Sequence, residues 1–201
     1  MGKTAPGSSI YNLTVTLLRT KPGVWRRLKV SGNTTLADFH LFLQVVMGWY
    51  NCHLYEFTCR DVSYGMPDAE AGYEVRDARR ITLAKLLPVA GVGLRYRYDF
   101  GDDWEHQVKV HAIEPPEPTV HYPVCVAGKR ACPPEDCGGP WGYSELLEIL
   151  QDPASDEYQE RLEWLDGPFD PDAFDRDEVN RRLQQPLADI RRWLDPDLSQ
   201  L

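Results

Sequence analysis

Four acids, a glycine and a histidine fall within the nine residues from Tyr98 to His106, with aromatics between them. A solvated loop has no need of the aromatics, and a plain core strand would not carry the acids. Carboxylates crowded at one end of a hairpin raise one another's pKa or hold a hard cation such as magnesium or calcium. Asp99, Asp102 and Asp103 are therefore candidate ligands, with Trp104 and His106 beside them. His106 shares a strand face with Trp104 and Val108, so it should point inward and need a hydrogen-bond partner. The same residues also fit a structural role, with Asp102 holding the turn, Asp99 capping an amide and His106 satisfied in the core.

A second stretch, Pro133-Pro134-Glu135-Asp136-Cys137-Gly138-Gly139-Pro140, is suited to fixing carboxylates, because prolines stiffen the backbone and glycines allow close approach. Glu135 and Asp136 join the candidates, as does His53, which follows a helix–strand junction near the sheet end. Cys125, Cys132 and Cys137 are separated by six and four residues, a loose fit to a zinc site with His121 or His106 as fourth ligand. Otherwise they are buried small residues or redox-sensitive thiols. A divalent metal is thus the one cofactor the residues suggest. Asp99-Phe100-Gly101 spells the kinase magnesium motif, but the chain has no catalytic loop or glycine-rich nucleotide loop to accompany it.

The elements that must position these residues follow from periodicity. Tyr11, Leu13, Val15 and Leu17 alternate with polar residues, Lys21-Pro22-Gly23 is a turn, and Val24 to Val30 is a second strand. In Trp25-Arg26-Arg27 the expected arrangement is a buried Trp beside solvated cations. Thr34 or Thr35 caps a helix whose apolar face runs through Leu36, Phe39, His40, Leu43, Val46 and Met47 to a stop at Gly48. A strand over His53 to Cys59 comes next, then an irregular excursion around Tyr64, Gly65 and Tyr73, and a short helix from Thr82 to Leu87. Leu94 to Phe100 and Trp104 to Val110 alternate about Gly101-Asp102 as a hairpin. Seven Pro and four Gly in residues 114–142 predict an irregular loop. Beyond it lie helix candidates at Tyr143–Leu150, Glu157–Leu165, Asp175–Leu183 and Ile190–Leu194, too short to fold alone.

The expected fold is α+β: a mixed, mostly antiparallel sheet with a helix across one face, similar to a β-grasp, followed by an acidic helical extension. Residues 1–201 read as one domain, with a sheet–helix core over about 9–113, the Pro/Gly loop over 114–142 and the extension over 143–201. The net charge of −9 is divided unevenly. Residues 1–98 carry 13 basic and 7 acidic side chains, residues 99–201 carry 9 and 24. The acidic half would repel phosphate backbones, which argues against nonspecific nucleic-acid binding by the whole chain but leaves a basic face on the first half. No apolar run is long enough to span a membrane, and the first residues hold no hydrophobic segment, so a cytoplasmic protein with reduced thiols is expected.

These segments resemble the plasmid pRiA ORF-3-like proteins. The likeness is carried by Pro22-Gly23-Val24-Trp25-Arg26-Arg27, Thr35 through His40, Met47-Gly48-Trp49, His53 through Phe57, Tyr98 through His106, Cys132 through Tyr143, and Phe169-Asp170-Pro171. His111 departs from it, standing where the family commonly has Glu. The resemblance implies an α+β prokaryotic protein and no established activity. Some members carry a transposon-resolvase label, but no Ser here sits among clustered Arg as serine recombination requires. Three readings stay open. The first is a binding or regulatory module, associated with mobile elements, that takes a small ligand or protein at the hairpin and the Cys132–Gly142 loop. The second is a metal-dependent hydrolase using the Asp/His/Glu cluster, and the third a DNA-contacting accessory protein.

Overall fold

The computed structural model of the protein describes residues 9–67 and 74–194. Its opening hairpin pairs β1 (Ile10–Leu17) with β2 (Trp25–Ser31), and the chain then enters α1 (Leu36–Met47). Three short strands follow, β3 (Tyr55–Cys59), β4 (Val62–Gly65) and β5 (Arg76–Asp77), then α2 (Leu83–Leu86). The second hairpin is β6 (Gly93–Tyr98) and β7 (Trp104–Glu114). All of these join with β8 (Val124–Lys129) in one eight-stranded sheet, ordered β5-β4-β3-β6-β7-β1-β2-β8. Only β4 and β5 pair in parallel, so the fold is α+β with a mostly antiparallel sheet.

Local chemistry accounts for α1. The Thr35 hydroxyl accepts from the Asp38 amide at 3.1 Å, and Gly48 ends the helix in left-handed backbone, donating to the Gln44 carbonyl. Nine of the twelve helix residues are buried, more than one apolar face allows. One side meets the sheet, where Phe39 stacks on Phe57 at 5.9 Å and His40 and Gln44 reach the Tyr96 hydroxyl. The other side is covered by α5 (Arg176–Leu183) and α6 (Leu187–Leu194), which contribute Leu183, Ile190 and Leu194 to the core. The remaining helices of the extension, α3 (Gly139–Ile149) and α4 (Asp156–Trp164), pack on each other. Among the described residues no helix is long and apolar enough to cross a membrane.

Three local expectations change. Residues 124–129, inside the Pro/Gly-rich stretch, form edge strand β8 rather than irregular loop. Gly128 there is held by close packing, since a Cβ would meet the Phe174 ring at 2.5 Å. Tyr64 and Gly65 belong to β4 instead of an excursion; Tyr73, like residues 1–8 and 195–201, lies outside the described residues. The phase of β2 is the reverse of a buried Trp beside solvated cations. Arg26 points inward and is buried, while Trp25 and Arg27 face out. The Arg26 guanidinium donates to the carbonyls of Trp25, Val46, Lys129 and Arg130 at 2.7–2.9 Å and lies 4.1 Å over Phe174. It satisfies the end of α1 and fastens the sheet to the extension.

The edge strand is also tied to α5. Asn180 accepts from the Cys125 amide at 2.8 Å and donates to the Cys125 carbonyl at 2.9 Å.

Candidate functional site

Alternation along β6 and β7 puts Tyr96, Tyr98, Trp104 and His106 on the inward face, all fully buried. The turn between the strands then decides where the acids go. Asp99 and Asp103 both take left-handed backbone, with φ of 55° and 58°, which Asp tolerates better than most residues. This sends neighbouring carboxylates to opposite sides. Asp103 turns outward to Arg19, at 2.7 Å, and to Arg97. These two hydrogen bonds pull its carboxyl below the usual range despite burial. Asp99 turns inward, buried, with Oδ1 accepting from the Gly101 amide at 2.8 Å and its own amide bound to the Leu54 carbonyl.

Asp99 is met there by two other segments. His53 comes from the loop after α1, and Glu135 and Asp136 from the loop between β8 and α3. His53 Nε2 lies 3.0 Å from Asp136 Oδ1, 3.6 Å from Asp99 Oδ2 and 3.9 Å from Glu135 Oε2. The donor atoms of His53, Asp99 and Asp136 are within 4.8 Å of one another, the spacing of ligands around one ion. Although Asp136 is near, no acceptor is aligned with His53 Nε2, and that atom is buried. Asp136, like Asp99, is left-handed at φ 56°. Among the described residues, the three carboxylates have no Arg or Lys partner within ion-pair distance; the imidazole of His53 is the basic side chain they meet.

Glu135 is the most constrained member. Its Oε1 accepts from the Tyr50 amide at 2.9 Å and the Tyr98 hydroxyl at 3.0 Å, and that hydroxyl accepts from the Cys52 amide at 3.1 Å. Burial pushes the Glu135 carboxyl up, and Asp136 adds to the rise against the pull of these donors and His53. Burial, then Glu135, raises the Tyr98 phenol, so it stays a donor.

The two loops are locked by contacts that only glycine permits. A Cβ on Gly139, at φ 67°, would sit 2.4 Å from the Asp102 carbonyl oxygen, and one on Gly142 only 1.9 Å from the Cys137 carbonyl oxygen. Asp102 completes the latch by accepting from the Gly138 amide at 3.2 Å.

The sequence candidates thus separate. His53, Asp99, Glu135 and Asp136 come together, Asp102 joins hairpin to loop, and Asp103 pairs outward. Trp104 and His106 lie in the core, where His106 Nδ1 meets the carbonyls of Trp104 and Tyr96 at 3.1 and 3.3 Å. Burial holds that imidazole down to about 4. The cysteines do not gather with other ligands among the described residues. Cys125 is a buried residue of β8, Cys132 meets the Met47 sulfur at 3.5 Å, and burial raises the thiols of Cys125, Cys132 and Cys137 to about 11, 12 and 12. Tyr50 and Tyr98 were not singled out by sequence; Tyr98 heads the acidic string, but its hydroxyl's role depends on a loop 37 residues away. Two exposed apolar side chains, Tyr50 and Leu54, flank the cluster in the loop after α1, whereas Phe100 turns the other way, with its ring 4.9 Å from the outward-facing Arg97 guanidinium.

The pattern of the family described as Plasmid pRiA4b ORF-3-like protein matches residues 9–178, most of the chain. The chain belongs to this family. It is also 42% identical over 183 residues to the uncharacterized protein y4hQ of Sinorhizobium fredii (strain NBRC 101917 / NGR234), covering 90% of this chain and 94% of that protein. A crystal structure of a protein of unknown function, MM3350 from Methanosarcina mazei Go1, superposes with a TM-score of 0.77 at 36% identity. The match spans 85% of this chain and 97% of that one. Every candidate-site residue falls within the family's span.

Proposed function

We propose that the protein is a binding module whose site takes a divalent cation through His53, Asp99 and Asp136, with Glu135 beside it. The observation that carries this reading is the convergence of two carboxylate oxygens, from Asp99 and Asp136, on a buried imidazole nitrogen that lacks an aligned partner. Three carboxylates without a Lys or Arg counter-ion add a charge argument: a dication neutralises what the chain does not. One imidazole nitrogen with carboxylate oxygens suits manganese or zinc better than magnesium or calcium, which prefer all-oxygen sites. The ion would tie together the loop after α1, the β6–β7 turn and the loop before α3. The exposed Tyr50 and Leu54 beside it would then present a ligand or partner surface on a fixed base.

Metal-dependent hydrolysis is the second reading. Asp136 is 69% exposed, so an ion held by its carboxylate keeps a side open to solvent. Glu135, with its raised carboxyl, is the group to act as base.

Equilibrium dialysis against manganese and zinc tests the site, followed by elemental analysis and thermal unfolding with and without metal. Wild type should retain one equivalent and melt higher when loaded, while His53→Ala and Asp136→Asn should lose both effects. No stoichiometric metal and no thermal shift in the wild type would refute the reading. Assaying the loaded protein on a generic phosphodiester separates hydrolysis from binding alone.

A further inference from the structure

Among the described residues, the face of the sheet turned away from α1 carries no helix. Two adjacent rows of side chains run across it, set by the strand register. One passes through Thr58, Arg95, Gln107, Thr16, Trp25 and Lys129, and so crosses six strands. Its neighbour passes through Gly93, Lys109, Thr14, Arg27 and Ala127. Neither row holds an acid, in a chain whose net charge is −9. At about 4.8 Å per strand the longer row measures about 24 Å.

Arg27, Arg95, Lys109 and Lys129 are exposed, and among the described residues none pairs with an acid. The cations just outside the rows are neutralised, Lys29 by Glu114 and Glu117 and Arg97 by Asp103. The flanking row on this face carries Glu56 and Glu105 on either side of Arg97. His111 stands at its margin with Nε2 2.8 Å from the Thr14 hydroxyl, and its imidazole is held down by partial desolvation and then by Arg27 and Lys109. Between these groups lies a shallow groove of about 340 Å³, floored by Thr14, Thr16 and Gln107 and walled by Trp25, Arg27 and Lys109.

We propose that this open face binds single-stranded nucleic acid, with phosphates along the Arg95–Lys109–Arg27–Lys129 band and a base against Trp25. Charge complementarity selects a polyanion. The length of the band suits about four phosphates in a chain rather than one isolated phosphate. A face six strands wide is broader than the ~12 Å major groove of an undistorted duplex, but it can receive unstacked bases on an aromatic platform. Among the described residues, the two rows hold no exposed aliphatic side chain to insert into a bilayer, which sets the face apart from a lipid-binding surface. The band lies on the sheet surface opposite the core and shares no residue with the His53–Asp99–Asp136 cluster.

Fluorescence anisotropy with a labelled 12-nucleotide oligothymidylate tests this, with a duplex of equal length, thymidine monophosphate as competitor, and phosphatidylserine vesicles as further arms. Binding should weaken about 50-fold between 50 and 200 mM salt, as neutralisation of about four single-strand phosphates requires. Arg27→Glu with Lys109→Glu should abolish it, and Trp25→Ala should weaken it about tenfold, with thermal unfolding of the charge variant unchanged. Asp136→Asn should bind the oligonucleotide like wild type. Absence of binding, equal affinity for duplex or vesicles, displacement by monophosphate at equal nucleotide concentration, or full binding by the charge-reversed variant would each overturn the assignment.

Discussion

Lowering the pH from 7 to 5 should cost this protein about 4 kcal/mol of stability, through two histidines locked in the core. Burial holds His106 down to about 4 and His40 to about 3, against about 6.5 in an unfolded chain. The geometry gives the reason. His106 Nδ1–H donates to carbonyls, and among the described residues Nε2 has no partner to share a second proton. His40 donates from Nε2 to Asn51 Oδ1 at 2.6 Å and accepts at Nδ1 from the Tyr96 hydroxyl at 2.8 Å, which itself accepts from Gln44. A proton on Nδ1 would confront the Tyr96 donor. As pH falls through 6.5 the unfolded chain takes up both protons and the folded chain takes up neither, so stability falls with pH. Each histidine contributes about 2 kcal/mol by pH 5, with a slope approaching about 1.4 kcal/mol per pH unit. Asp77, held down to about 2 by Arg79, loses its contribution only below this window. Glu135, raised by burial, acts weakly in the opposite sense. Urea unfolding at intervals between pH 7 and 5 measures the slope in wild type, His106→Asn and His40→Gln. Each substitution should remove about half of it, whatever it does to stability at pH 7. A flat wild-type profile, or an undiminished slope in both variants, would refute the reasoning.

Arg26→Met keeps the volume but leaves four carbonyl oxygens without their donor, so chemical denaturation should show a loss of about 3 kcal/mol or more. Gly139→Ala combines positive φ with a Cβ 2.4 Å from the Asp102 carbonyl oxygen, so it should cost about 1–3 kcal/mol and weaken manganese uptake by displacing Glu135 and Asp136, as dialysis would register.

Helix α1 was legible because a capping hydroxyl, a strict apolar spacing and a terminal glycine all agree. The β6–β7 hairpin was legible from alternation alone. The same logic failed at β8, where prolines on both sides and an Ala-Gly pair hide a strand that tertiary packing on Phe174 enforces. It failed again at Arg26, since nothing local announces a cation placed inward to meet carbonyls from distant segments. α3 starts at Gly139 rather than Tyr143, because Pro140 serves the first helical turn instead of breaking it. The acidic string and the Glu135-Asp136 loop were recognisable as partners. Their division of labour was not, because left-handed backbone at Asp99 and Asp103 decides which carboxylate faces His53.

The bond between Asn180 and Cys125 bears on how this protein behaves in a crowded solution. An open sheet ends in rows of unpaired amides and carbonyls, which are templates for further strands and so for aggregation. Here one end is a two-residue strand, too short to template anything. At the other, a carboxamide on α5 takes both backbone groups of Cys125, and side chains also occupy the carbonyls of Ala127 and Lys129. One asparagine thus takes the two backbone bonds that a ninth strand would make at Cys125, and the acidic extension that carries it covers this part of the edge.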